Sequence, residues 1–106
     1  MGDLYPCHQF VGEEAFKLGD IYTGVTNKKI QDEFASCNVY ARKECADCWA
    51  RLYCSGGCAA NAYHATGSVK GVYKEGCELF CKRLECALAV AIIRDMKENS
   101  HEDADC

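Results

Sequence analysis

The chain contains no apolar run approaching the roughly 18 residues that a membrane-spanning helix needs. Its nearest candidate, residues 87–93, is too short and reads as one face of a buried helix. A basic stripe is also missing. The positive residues are scattered, the densest pairs being Lys28-Lys29 and Lys82-Arg83, and the net charge is −4. That excludes the phosphate-reading surface of a nucleic-acid binder. The first residues, Met1 to Cys7, show neither the basic nor the apolar segment of a secretory signal, so the expected location is the cytoplasm. We find no internal repeat and no low-complexity linker. At 106 residues the chain is one small domain at most, with room for little core.

Cysteine is what the chain has in excess: ten residues, against two methionines and one tryptophan. Such an excess marks a core stapled either by disulfides or by metal. Disulfides belong to oxidising compartments. The missing export signal and the tight pairing of the cysteines therefore favour thiolate–metal bonds, with a disulfide-rich secreted scaffold as the competing class. Four of the ten cysteines fall within residues 45–58 in the spacing Cys45-x2-Cys48-x5-Cys54-x3-Cys58, and Cys77 follows after a gap. A C-x2-C turn can aim two sulfurs at one metal atom or one cluster edge. Gly56-Gly57, just before Cys58, permits backbone angles that a Cβ would resist, so the chain can close tightly around something bulky. Thiolates at this density select zinc, copper(I) or iron–sulfur clusters. Cys45, Cys48, Cys54 and Cys77 would equally satisfy tetrahedral zinc in a structural interaction module.

The coarse pattern predicts an α+β domain: an N-terminal β-hairpin, then helices and loops wrapped around a metal or iron–sulfur centre. Tyr5 to Val11 and Phe16 to Ile21 are aromatic and partly alternating, with Gly12-Glu13-Glu14-Ala15 between them, which predicts the hairpin. Gly19-Asp20 interrupts the second strand and suggests a bulge. Thr26 or Asn27 is placed to cap a helix reaching about Tyr40, with Ile30, Phe34, Cys37 and Ala41 on one face. A short helix is expected from Cys58 to about Ala65, stopped by Gly67. A long one should open at Glu75 or Gly76 and run to about Lys97, burying Phe80, Leu84, Leu88, Ala91 and Ile92. The domain is thus expected to span residues 2–97, with residues 98–106 a disordered acidic tail. So small a core is marginal, and a bound centre would supply the missing stability.

The composite spacing resembles a known family. Gly2-x4-Cys7, then Cys45-x2-Cys48-x5-Cys54-x3-Cys58, then Cys77 is similar to the SPASM domain, the C-terminal extension of radical S-adenosylmethionine (SAM) enzymes that modify peptides and proteins. Six of the seven cysteines of that pattern are present in register. The first would lie upstream of Gly2. The local text Tyr5-Pro6-Cys7-His8-Gln9-Phe10-Val11-Gly12 and Cys54-Ser55-Gly56-Gly57-Cys58 is most similar to the maturases of "six cysteines in forty-five residues" peptides. Those enzymes install sulfur-to-carbon thioether bonds in ranthipeptide and sactipeptide precursors.

The resemblance implies a division of the cysteines. Cys45, Cys48, Cys54 and Cys77 match the four ligands of the family's second auxiliary [4Fe–4S] cluster. Cys7 and Cys58 match two ligands of the first, so one cluster is expected in this chain and two in a parent enzyme, with zinc a possible substitute. In the parent, a 5′-deoxyadenosyl radical would abstract hydrogen from the substrate before carbon–sulfur bond formation. The auxiliary clusters would bind the substrate thiolate and take up the leftover electron. The C-x3-C-x2-C motif that holds the SAM-cleaving cluster is absent; the nearest spacing, Cys77-x3-Cys81-x4-Cys86, is too long. The chain alone is therefore expected to catalyse nothing. Its expected partners are a radical SAM barrel and a cysteine-rich precursor peptide, with neither nucleic acid nor membrane.

The remaining candidates have plainer readings. Cys37 on an apolar helix face is expected to pack as a small hydrophobe, and Cys81 and Cys86 lie outside the pattern. Cys106 is expected to be an exposed thiol. Trp49 and Tyr53 are expected to shield a centre from water, and Arg51 to pair with it or be solvated. His8 reads as a surface residue beside a ligand. His64 and His101 have no ligating spacing, and Glu13-Glu14 reads as a polar turn.

Overall fold

The computed structural model describes residues 1–102. It divides the chain into two compact units, one spanning Met1–Tyr73 and one beginning at Lys74. The first is a small mixed α+β body. Its sheet is a three-stranded antiparallel meander of β1 (Asp3–Leu4), β2 (Gly19–Asp20) and β3 (Gly24–Val25). Asp3 pairs with Asp20 and Leu4 with Gly19; Gly19 then pairs with Val25 and Asp20 with Gly24. Gly19 has to be glycine, because a Cβ there would collide with the Gly24 carbonyl oxygen. The predicted bulge is thus the central strand itself.

The predicted hairpin strands differ more. Tyr5 to Val11 and Phe16 to Ile21 mostly do not run as strands. In their place are two 3-10 turns, His8–Phe10 and Glu14–Phe16, closed by Phe10 N–H donating to Cys7 O at 3.1 Å and Phe16 N–H to Glu13 O at 2.9 Å. A hairpin does exist, but its rungs are β1 and β2, and both phenylalanines ride in the long connection between them. The aromatic spacing that imitates a strand here serves a different end. Each turn drops one ring into the same core.

That core consists of Phe10, Phe16, Ala60 and Val69, flanked by Tyr5, Ile30, Phe34, Cys37, Ala59 and Tyr63. Phe10 and Phe16 approach at 4.3 Å between ring centroids, Phe34 meets Phe10 edge-on at 5.5 Å, and Tyr63 meets Phe16 edge-on at 4.6 Å. Tilted and edge-on contacts of this kind are the favoured aromatic geometries.

α1 (Lys28–Ala35) begins where expected, since the Asn27 side chain accepts from Ile30 N–H at 3.3 Å. The Asn27 amide also donates to Lys17 O at 3.1 Å, tying the helix start to the segment before β2. The helix stops at Ala35, short of Tyr40, because Asn38 starts a separate 3-10 turn, Val39–Ala41, by accepting from Tyr40 and Ala41 N–H. An Asx cap competes with helix continuation wherever it can satisfy two amides at once. Ile30, Phe34 and Cys37 still face the core.

Then come α2 (Lys43–Ala46), α3 (Arg51–Cys54) and α4 (Ala59–Thr66). α4 matches its sequence reading closely: Cys58 precedes it, and Gly67, at φ 81°, ends it by donating to Tyr63 O at 2.7 Å.

The second unit is built on α5 (Lys74–Glu102). It continues past Lys97, so residues 98–102 of the expected tail are helical, while residues 103–106, with Cys106, lie outside the described residues. Of the face expected to be buried, Phe80 and Leu84 are half-buried, but Leu88, Ala91 and Ile92 are exposed. Within its own unit the described residues hold no second element to cover that face. Among the described residues no helix is long and apolar enough to cross a membrane.

Candidate metal centre

Three short elements present the cysteines of the first unit. Cys45 is in α2, and Cys48 follows a turn in which its N–H donates to Cys45 O at 3.1 Å. Arg51 ties the next step down, its N–H and its Nη1 both donating to Cys48 O at 3.2 Å. Cys54 closes α3. Immediately after it, Ser55, Gly56 and Gly57 lie one after another in the left-handed region, at φ 57°, 96° and 75°. Three such residues in succession turn the chain sharply from α3 into α4, and two glycines make that affordable.

Cys45 is buried, Cys48 and Cys54 are half-buried, and Cys7 and Cys58 are exposed. Burial pushes the Cys45 thiol pKa up. The Arg42 guanidinium pulls it the other way, and the neighbouring Cys54 and Cys48, then Glu44, push it up further. Cys48 and Cys54 are therefore near enough to Cys45 for charge on them to act on it.

Cys58 is directed elsewhere. Its Sγ contacts Gln9 Oε1 at 3.7 Å, in the 3-10 turn that Cys7 opens. Cys58 thus faces the segment carrying Cys7. Cys77 is half-buried in the first turns of α5, in the second unit. Among the described residues, no three His, Cys, Asp or Glu side chains are gathered closely enough to hold a metal ion. The residue types are nonetheless those a thiophilic centre takes: Cys45, Cys48 and Cys54 are soft thiols, and Cys54 leads directly into the left-handed turn.

Cys37 is otherwise engaged. Its S–H donates to Val69 O at 3.1 Å, and the thiol accepts from Arg42 Nη2 at 3.2 Å while packing on the core. Trp49 and Tyr53, expected to shield a centre, are 54% and 64% exposed; the buried residue of that stretch is Ala50. His8 is exposed, and His64 lies 3.5 Å from Glu13 Oε1 and stacks on Phe10.

The residue that sequence reasoning missed is Arg42. It is 2% exposed and lies under the cysteine loop, donating through Nη1 to Gly56 O and through Nη2 to Val69 O at 2.8 Å. Beside Lys43 it reads as one more surface charge. The usable signal is Gly56, where a Cβ would collide with the Arg42 Nη1. Comparison with protein-family models and with curated proteins finds no match for the chain.

Proposed function

We propose that the chain is an auxiliary iron–sulfur domain of a radical SAM peptide maturase, of the kind that forms thioether crosslinks in a ribosomally made, cysteine-rich peptide. The observation that carries this reading is the spacing Cys45-x2-Cys48-x5-Cys54, which leads directly into the left-handed turn through Ser55, Gly56 and Gly57. These three thiols would supply three of the ligands of a [4Fe–4S] cluster. Cys58, turned toward Gln9, and Cys7 belong to a separate site. A cluster at such positions supplies electron transfer and, where an iron is left open, a place for a substrate thiolate.

The chain's own residues do the rest. Arg51 fixes the Cys48 carbonyl, the left-handed turn parts Cys54 from Cys58, and burial keeps water from Cys45. No C-x3-C-x2-C motif occurs, so hydrogen abstraction falls to a barrel elsewhere in a parent enzyme.

Anaerobic reconstitution with iron and sulfide tests the reading. A brown protein carrying about four irons per chain, lost on Cys48→Ala, is the expected result. The competing reading, a structural zinc module, draws on the same thiols and on the small aromatic core, which leaves a stabilising role for metal. A colourless protein with stoichiometric zinc that resists iron loading would decide for it.

A further inference from the structure

Arg42 is the one buried charged side chain among the described residues. Its Nη1 donates to Gly56 O, and its Nη2 donates to Val69 O at 2.8 Å and to the Cys37 sulfur at 3.2 Å. Its Nε is buried without a hydrogen-bond partner. No carboxylate pairs with it; the ion pairs among the described residues are Lys17–Asp3, His64–Glu13 and Lys82–Glu85. A buried cation without a counter-anion is costly, and so is a buried donor left unpaired. Of the three groups that Arg42 touches, two are backbone carbonyls, and only the Cys37 sulfur can gain negative charge. Cys37 is half-buried, so a small reagent can reach the sulfur from outside.

We infer that Cys37 is an oxidation site, where hydrogen peroxide converts the thiol to sulfenic acid and the Arg42 guanidinium holds the oxygen so added. Sulfur takes one hydroxyl of the peroxide as the O–O bond breaks, and the other hydroxyl leaves with the thiol proton as water. Sulfur loses two electrons, which reduce the peroxide. This is the first, reversible rung of cysteine oxidation, which a thiol can reverse. The added oxygen fills both gaps at Arg42. It is an acceptor on the sulfur that Nη2 already touches, and Nε shares an edge of the planar guanidinium with Nη2. The guanidinium also favours the ionised sulfenate, which supplies the missing negative charge. Val69 O gives up the Cys37 S–H but keeps Arg42 Nη2 at 2.8 Å, so the exchange orphans no acceptor. Arg42 is thus the positioning residue of the site. Neither residue belongs to the thiol set of the iron–sulfur reading, and the chemistry is independent of it.

The internal reference for a test is Cys86, which is exposed. The whole chain, reduced and freed of excess thiol, is treated with hydrogen peroxide in the presence of dimedone, which traps sulfenic acid. Mass spectrometry follows the adduct at each cysteine with time. A hydrogen bond to a charged group is strong enough to change a rate about tenfold. The Cys37 adduct should therefore form about ten times faster than the Cys86 adduct, although Cys86 is the more exposed. An adduct at Cys37 that forms no faster than at Cys86 overturns the site, and is what a thiol that merely packs as a small hydrophobe would give.

Arg42→Met, with its fold checked by circular dichroism, should slow Cys37 to the rate of Cys86 or below and leave Cys86 unchanged. A wild-type rate at Cys37 in the folded variant overturns the role of Arg42. Should Arg42→Met fail to fold, the wild-type chain answers through a second reagent. Iodoacetamide is neutral and adds no oxygen for the guanidinium to hold. The Cys37-to-Cys86 rate ratio should be higher with peroxide than with iodoacetamide, and equal ratios overturn the role of Arg42.

Discussion

Asp20 shows how much one side chain settles in so small a body. Its carboxylate accepts from Tyr22 N–H and Thr23 N–H, both at 2.8 Å, and from the Thr23 hydroxyl at 3.0 Å, closing the turn from β2 to β3. Those bonds, from the Thr23 backbone first, hold its pKa below the usual carboxylate value. A group depressed on folding contributes stability that is fully present above its unfolded pKa of about 3.9. The contribution is lost as pH falls through the lower folded value. Asp20→Asn should therefore flatten the acid limb of stability below about pH 4, as followed by circular dichroism; an unchanged limb would place the acid sensitivity elsewhere. The cysteines divide at the same scale. Cys48→Ala and Cys54→Ala should each abolish metal uptake at the Cys45 site and lower the melting temperature, since metal binding to folded ligands is folding free energy. Cys58→Ala, whose sulfur faces Gln9, should spare that uptake. Equal metal loss in all three would erase the division.

Among the elements, the left-handed turn and the two phenylalanine-bearing turns govern the rest. Gly56→Ala meets both an unfavourable φ and the Arg42 guanidinium, whereas a Cβ on Gly57 meets open space. Gly56→Ala should thus cost more than Gly57→Ala, where backbone strain alone amounts to about 1–2 kcal/mol, and thermal melts of the two variants make the comparison. Phe10→Ala empties the centre of the aromatic core and should cost about 3–5 kcal/mol. Against a total of about 5–15 kcal/mol for an ordinary domain, that is enough to leave the metal-free protein largely unfolded in a denaturant titration. Where capping chemistry is local, the elements were legible in the sequence: Asn27 starts α1, and Cys58 and Gly67 bracket α4. The N-terminal segment was not, because Phe10 and Phe16 satisfy a strand pattern while their turns are chosen by a core assembled from α1 and α4. The C-x2-C stretch announced the candidate site. Arg42 did not announce itself, since nothing in the neighbouring Ala41 or Lys43 separates a buried arginine from a solvated one.

For the molecule as a whole, the question is how many centres the 106 residues can hold. Ten cysteines invite the count of two clusters that the family resembled by the spacing carries. The second set of donors is thinner. Cys7 and Cys58 are both exposed, and two thiolates rarely retain a [4Fe–4S] cluster that takes three or four. Cys37 is the thiol that could complete a second set, but it is held by Val69 O at 3.1 Å and by Arg42 at 3.2 Å. Recruiting it would break both contacts and strip the buried guanidinium of one acceptor, a loss of about 1–3 kcal/mol for each group left unsatisfied. We therefore expect about four irons and four sulfides per chain after anaerobic reconstitution, unchanged in Cys37→Ala. Cys7→Ala and Cys58→Ala should leave the count unchanged as well. About eight irons in the wild type, falling to about four in Cys37→Ala, would show instead that the Arg42–Cys37 contact opens on loading and that Cys37 serves as a ligand.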